Sequence, residues 1–307
     1  MLGYILTRLA WAIPTLFLIV TASFFLIRLA PGGPFDLEQP LEPSVMANLR
    51  KVYRLDLPLA EQYWLYLTAL LKGDFGPSFY QRDFTVAELF ARGLPVSVWL
   101  GISALSLAIL AGGALGVIAA LRQNRFADHA VTGFATLGVT VPTFVTAPLL
   151  QIVFGLMLAW LPVGGWNGGA LPNMVLPVIV LALPQIAVIA RLTRAAMIET
   201  LRADHIRTLN ALGLPLSTVL RHALRGAALP VVSYLGPAAA ALLTGSVIVE
   251  TIFGLPGIGR YFVEGALNRD YTLVMGTVVI VACFVILFNL LVDVAYATLD
   301  PRVRFES

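Results

Sequence analysis

Six apolar runs, at about 9–27, 95–121, 131–160, 174–190, 229–253 and 272–299, constrain this chain more than any other feature. Crossing the hydrocarbon core of a bilayer takes about 20 apolar residues in a helix. Inside that core only helices and closed barrels satisfy every backbone donor and acceptor. Runs of this length, without strict polar alternation, specify helices. The chain as a whole is 59% hydrophobic and 12% charged, against about 45–50% and 25% in soluble domains. The fold class is therefore an all-α polytopic membrane protein with six transmembrane helices. The first run, between Arg8 and Arg28, exceeds the apolar stretch of about 7–15 residues in a signal peptide and is followed by no A-x-A-like cleavage site, so it should remain as an anchor.

Six spans place both termini on one side, and charge selects which. Arg8, Arg122, Arg125, six arginines between 191 and 225, Arg302 and Arg304 fall on the side of the termini, while the opposite short loops hold only Arg260 and Arg269. Such an excess belongs in the cytoplasm. Residues 30–94 differ in kind: six Lys/Arg stand against eight Asp/Glu, with Gly-Asp-Phe-Gly-Pro and Asp-Leu-Pro turn signals. They read as a small extracytoplasmic helical insertion of two or three short helices. Within it, residues 59–71 are amphipathic, with Tyr63, Trp64, Tyr66 and Leu67 suited to an interface.

The cytoplasmic loop 191–228 is the longest polar interruption in the last two thirds of the chain. Ile206, Leu209 and Leu212 recur every three residues behind Asp204 as a candidate N-cap, and Gly213 then supplies a stop ahead of Pro215. A second pattern, with Ser217 as its candidate cap and Val219, Leu220, Ala223, Leu224 and Ala227 on one face, leads into the next span. A short helix held out of the bilayer with an apolar stripe suits a groove on another protein; the alternative is that the stripe packs on the chain's own spans.

Proline and glycine interrupt the spans at Pro142, Pro148, Pro177, Pro184 and Pro237, and Gly112 and Gly116 make a G-x-x-x-G pair. Kinks and close helix approach fit a bundle around a pathway, although membrane helices tolerate both residues generally. Glu250, Asn289 and Asp293 are polar positions inside spans. They are candidates for the substrate path, against a structural role by snorkelling or pairing with an arginine.

Several chemistries are excluded. Neither Lys51 nor Lys72 ends a G-x-x-x-x-G-K-[ST] run, so the chain has no P-loop. His129, His205 and His222 show no metal-ligand spacing, no serine sits in G-x-S-x-G, and Cys283 has no partner for a disulfide. No metal, cofactor or nucleic-acid site is expected, and the chain is not read as an enzyme.

The segments Arg207-Thr-Leu-Asn-Ala-Leu-Gly213, Arg221-His-Ala-Leu-Arg225, Arg28-Leu-Ala-Pro-Gly-Gly-Pro-Phe35 and Lys72-Gly-Asp-Phe-Gly-Pro-Ser-Phe79 resemble the binding-protein-dependent ABC importer permeases of the dipeptide and oligopeptide branch. So do Gly164-Gly-Trp-Asn-Gly-Gly-Ala170, Gly245-Ser-Val-Ile-Val-Glu-Thr-Ile-Phe-Gly-Leu-Pro-Gly-Ile-Gly259, Ala266-Leu-Asn-Arg-Asp-Tyr271 and Asp300-Pro-Arg302. The pattern is most similar to the B-type permease subunit of an oligopeptide importer. Where the wider family carries Glu-Ala-Ala in its loop, this chain has Arg207, Thr208 and Leu209; Gly213 keeps the signature.

The resemblance implies a multi-pass protein of the bacterial inner membrane with both termini cytoplasmic. It also implies a homologous second permease, two ATPase subunits that use ATP and Mg, and an extracytoplasmic binding protein. The ATPase-coupling loop would be Asp204, Ile206, Arg207, Leu209, Ala211, Leu212, Gly213 and Arg221. Dipeptide, glutathione and nickel-chelate importers share the architecture. A channel or secondary transporter would work without ATPases and would more often show an internal repeat or embedded charge pairs.

Overall fold

The structure, a computed structural model, describes residues 2–29, 32–35, 42–81 and 83–299. Arg82, Arg302, Arg304 and the Asp300-Pro-Arg302 motif lie outside the described residues, as do Pro31, Asp36 and Glu38. Eleven α-helices are found in what is described: α1 Leu2–Leu29, α2 Pro43–Val52, α3 Leu59–Leu70, α4 Val86–Leu121, α5 Phe126–Thr140, α6 Thr143–Leu150, α7 Leu171–Leu201, α8 Asp204–Ala211, α9 Leu216–Phe253, α10 Ile258–Leu267 and α11 Tyr271–Leu299. Five of them, α1, α4, α7, α9 and α11, are long and apolar enough to cross a bilayer; α5 and α6, bent by 105°, complete a sixth crossing if counted as one broken span.

That bend departs from the continuous span expected over 131–160. Val141 leaves the helix at ψ 117 and Pro142 restarts it at ψ 149. A residue before proline is pushed out of the helical region, and the missing proline N–H removes the bond that would carry the turn across. Beyond α6, residues Gln151–Met157 widen into a π-helical turn. The other spans run longer than their apolar cores. Helix α4 starts nine residues before Pro95 because Thr85 and Glu88 form a capping box: the Thr85 N–H donates to Glu88 Oε2 at 2.8 Å, and the Glu88 N–H donates to Thr85 Oγ1 at 3.2 Å.

The chain divides into two compact units. The first gathers residues 1–10, 98–255 and 284–307. Here α4 lies on α7 through the glycine pair: a Cβ on Gly112 would meet the Ile186 carbonyl oxygen at 2.9 Å, and one on Gly116 would meet that of Ala190 at 2.6 Å. Only glycine allows that approach, which is how small-x-x-x-small pairs gain packing where lipid offers no hydrophobic drive. Helices α7 and α9 are joined by Tyr234 Oη donating to Gln185 Oε1 at 2.8 Å. Asp128 at the start of α5 accepts from Arg194 Nε and, at 2.7 Å, from Arg194 Nη2, as well as from the Asn124 N–H at 2.9 Å.

The second unit gathers residues 11–97 and 256–283. The stretch read as an insertion holds α2, α3 and the first turns of α4. Asp270, fully buried, ties it together. One carboxylate oxygen accepts from Ser78 Oγ at 2.5 Å and from the Phe79 and Tyr80 N–H groups; the other caps α11 through the Leu273 N–H at 3.1 Å. A buried carboxylate with this many donors is satisfied without a counter-ion.

Candidate coupling surface

The loop motif that ends at Gly213 folds as α8 between the ends of α7 and α9. Its N-cap is Ala203, in extended conformation and with no side-chain cap, so Asp204 is the first helical residue and not the cap expected for it. Asp204 instead makes a long exposed contact with Arg207, at 3.7 Å. Pairs of this kind are worth little. The stop at Gly213 is formed as the sequence predicts. Gly213 has φ 69; its N–H donates to the Asn210 carbonyl at 3.0 Å, and the Leu214 N–H donates to that of Leu209 at 3.3 Å. These two bonds are the Schellman pair, which needs a left-handed residue after the helix and so favours glycine.

The three residues of the stripe do not share one environment. Ile206 is fully buried. It packs in a cluster with Ala120, Ala196, Met197, Val219, Ala223 and Ala227, and Leu209 leans on the same cluster. Leu212, by contrast, is 71% exposed. A three-residue step advances 300° per repeat on an α-helix, so a run of three drifts around the cylinder. One end of the stripe therefore anchors α8 to its own chain while the other faces out. Past Leu212 the exposed apolar side chains continue with Leu214 and Leu216. Arg207, Ala211 and Arg221 are exposed beside them.

Pro215, with ψ 147, is the N-cap of α9, so Ser217 lies inside the first turn and caps nothing. The second pattern is confirmed in part. Val219, Ala223 and Ala227 are buried, whereas Leu224 is exposed. No separate surface helix precedes the fifth span, since α9 runs on unbroken for 38 residues.

The candidates for a pathway separate. Glu250 is fully buried in the last turn of α9, the fourth residue from its end. Asn289 abuts Gly236 of the same helix, where a Cβ would meet Asn289 Oδ1 at 2.5 Å. Gly236 and Glu250 stand 14 positions apart, roughly 21 Å along a helix axis at 1.5 Å per residue. Asp293 pairs with Arg8, Nε to Oδ2 at 3.0 Å. The three are thus not one site, and Asp293 takes the pairing role. Sequence reasoning passed over Asp128, Asn124 and Arg194; Asn124 sits in the turn before α5, Asp128 in the first turn of that helix, and Arg194 66 residues away from Asp128, so spacing carried no signal of the Asp128–Arg194 contact.

Residues 112–305 match the family described as "Binding-protein-dependent transport system inner membrane component", and residues 1–98 match its N-terminal companion. The chain is 54% identical over 306 residues to the oligopeptide transport system permease protein OppB of Salmonella typhimurium, covering 99% of this chain and all of that one. It is 43% identical over 309 residues to the dipeptide transport system permease protein DppB of Bacillus subtilis, with 100% and 99% covered. A crystal structure of an amino acid ABC transporter superposes with a TM-score of 0.53 at 19% identity, covering 69% of this chain and 94% of that one, and shares the fold.

Proposed function

Since the chain belongs to the inner-membrane components of binding-protein-dependent transport systems, we propose that it is the permease subunit of an ATP-driven oligopeptide importer, forming half of the translocation pathway. Full-length similarity to oligopeptide permeases supports the cargo class over dipeptides, glutathione or nickel chelates. The chain has no P-loop to bind ATP. ATP and Mg are used by two partner ATPase subunits, a homologous second permease supplies the other half of the pathway, and an extracytoplasmic binding protein delivers the peptide.

The observation that carries the coupling role is the exposed apolar tip Leu212–Leu214–Leu216, held at a fixed angle by the Gly213 turn and anchored from behind by buried Ile206. Such a tip docks in a groove of an ATPase subunit. When ATP binding closes the ATPase pair, motion of the groove is passed through α8 to the joined ends of α7 and α9, and the spans reorient by alternating access. We assign Asn289, exposed on α11 against Gly236, to the pathway, and keep Glu250 and Asp293 as structural groups.

Leu212→Asp tests the docking. It places a charge on an exposed position, so the amount of folded permease in detergent extracts should stay within about 20% of normal, whereas ATPase recovered per permease should drop at least about tenfold, as when an interface anchor is lost. Normal ATPase recovery would refute the assignment. Orientation is tested with single cysteines at Ser217 and Lys72, both exposed, in a Cys283→Ala background. In sealed vesicles they should label from opposite sides, Ser217 from the cytoplasmic one, and labelling of both from one side would sink the six-span topology.

A further inference from the structure

A cleft of about 380 Å³ opens in the second unit, walled by Arg28 of α1, by Tyr53 and Arg54 after α2, by Tyr66 of α3 and by Asp74 and Phe75 ahead of α4. Its size falls within the range of small-ligand pockets, about 300–1,000 Å³.

The donors on its wall outnumber the acceptors. Arg28 is held in place by neutral groups only. Its guanidinium lies 3.5 Å from the centroid of the Phe24 ring, its Nε donates to Gln62 Oε1 at 3.1 Å, and its Nη1 reaches the Phe24 carbonyl at 3.4 Å and Met275 Sδ at 3.6 Å. Gln62 is fixed in turn, donating to the carbonyls of Leu57 at 2.8 Å and Leu55 at 3.3 Å. Arg28 Nη2 has no partner, and no carboxylate pairs with Arg28, among the described residues.

Arg54 stands in the left-handed region at φ 55. Bonds from its N–H to the Lys51 carbonyl at 3.1 Å and from the Leu55 N–H to that of Arg50 at 2.7 Å keep it there. Its side chain makes no ion pair or hydrogen bond among the described residues. The hydroxyl of Tyr66 is, among those residues, the one buried side-chain polar atom without a partner. Burial pushes that phenol up to about 12, so it remains a neutral donor. A guanidinium already turned and stacked, with one edge unused, is preorganised for a carboxylate. Leaving it unmatched is unfavourable.

We propose that this cleft binds the free carboxylate of a short peptide, with Arg28 and Arg54 as the receiving groups, so that the permease carries a site of its own for one end of the cargo. The peptide class rests on the function proposed above. Within the cleft, the rings of Tyr53 and Phe75 offer apolar walls to side chains, and Asp74 supplies the opposite charge. An acceptor for an amine and donors for a carboxylate on one apolar-walled surface suit a zwitterion with side chains more than an inorganic anion.

The test uses the full chain in lipid nanodiscs, titrated calorimetrically with trialanine and with its C-terminal amide. Trialanine should bind at least about tenfold more tightly than the amide, the loss expected when a charge-assisted pair is removed. Arg54→Gln, which removes no ion pair or hydrogen bond among the described residues, should bring the two ligands within about threefold of each other, and Arg28→Gln should do the same. Equal binding of acid and amide to the wild type, no binding of either at millimolar concentration, or a preference that survives Arg54→Gln would each overturn the proposal. Uptake by cells with the whole importer then separates the two readings. If trialanine binds as expected and yet neither peptide is taken up, the importer reading fails and the site stands. If Arg54→Gln lowers uptake of acid and amide in parallel, the arginines serve a partner protein's acidic side chain and the cargo site fails.

Discussion

Of the three Gly-Leu-Pro tripeptides in this chain, Gly93-Leu94-Pro95 runs on inside α4, while two close a helix, the first copy at Gly213-Leu214-Pro215 and the second at Gly254-Leu255-Pro256, and these two end in opposite environments. Their backbones agree. Gly213 and Gly254 have φ 69 and φ 65, and in each case the following leucine donates its N–H five residues back, Leu214 to Leu209 and Leu255 to Glu250. Around the second copy the chain closes in. The Gly165 N–H donates to the Phe253 carbonyl at 2.7 Å, Asn173 Nδ2 bonds the carbonyls of Gly164 and Gly165, and Leu255 is fully buried. Around the first copy, Leu212, Leu214 and Leu216 are all exposed among the described residues. The same local chemistry therefore yields a structural lock where the protein supplies its own cover, and an exposed apolar tip where it does not, the tip proposed above as a docking surface.

The largest expected effect lies in the leucine pair. Leu255→Ala removes a fully buried side chain and should cost about 2–5 kcal/mol, the range for large-to-small changes in a core. It should appear as a clear loss of monodisperse protein on size-exclusion chromatography of detergent extracts. Leu214→Ala, at 39% exposure, should leave that profile within about 0.5 kcal/mol of normal while lowering ATPase recovery. If Leu214→Ala unfolds the permease as readily as Leu255→Ala does, the contrast between lock and tip is lost.

How much of this was legible in the sequence follows from the range of each interaction. The spans were readable because their signal is length and apolarity within one segment, and Gly213 was readable because a left-handed residue after a helix is a local demand. The break at Pro142 was visible as a residue but not as a bend of 105°, because membrane helices often carry proline without breaking. Ile206 shows the harder limit. Its periodicity is the same whether the apolar face meets a partner or the chain's own α7 and α9, so only the fold could show that it faces inward. The Asp128–Arg194 pair and the donors that Ser78 and Tyr80 bring to Asp270 join residues 66 and at least 190 positions apart, and no periodicity reports contacts of that range.

The smallest effect is the most discriminating. A Cβ added at Gly213 or Gly254 meets nothing within 4 Å, so replacing either by alanine adds no clash. What remains is the cost of holding an L-residue at positive φ, about 1 kcal/mol, with the alanine side chain too small to add more. Gly213→Ala and Gly254→Ala should thus lower thermal stability in detergent by similar small amounts. Their functional consequences should differ. At Gly254 the surrounding loop, bonded to Phe253, holds the turn in place against the strain. At Gly213 no such brace is found among the described residues, so the strain should be relieved by fraying the last turn of α8, which would displace Leu212 and Leu214. ATP-driven peptide uptake should then fall several-fold in Gly213→Ala, by about the factor of five that 1 kcal/mol represents, and hardly at all in Gly254→Ala. Equal uptake in the two variants would mean that the angle of the tip does not matter for coupling, and the Gly213 turn would reduce to a helix terminator.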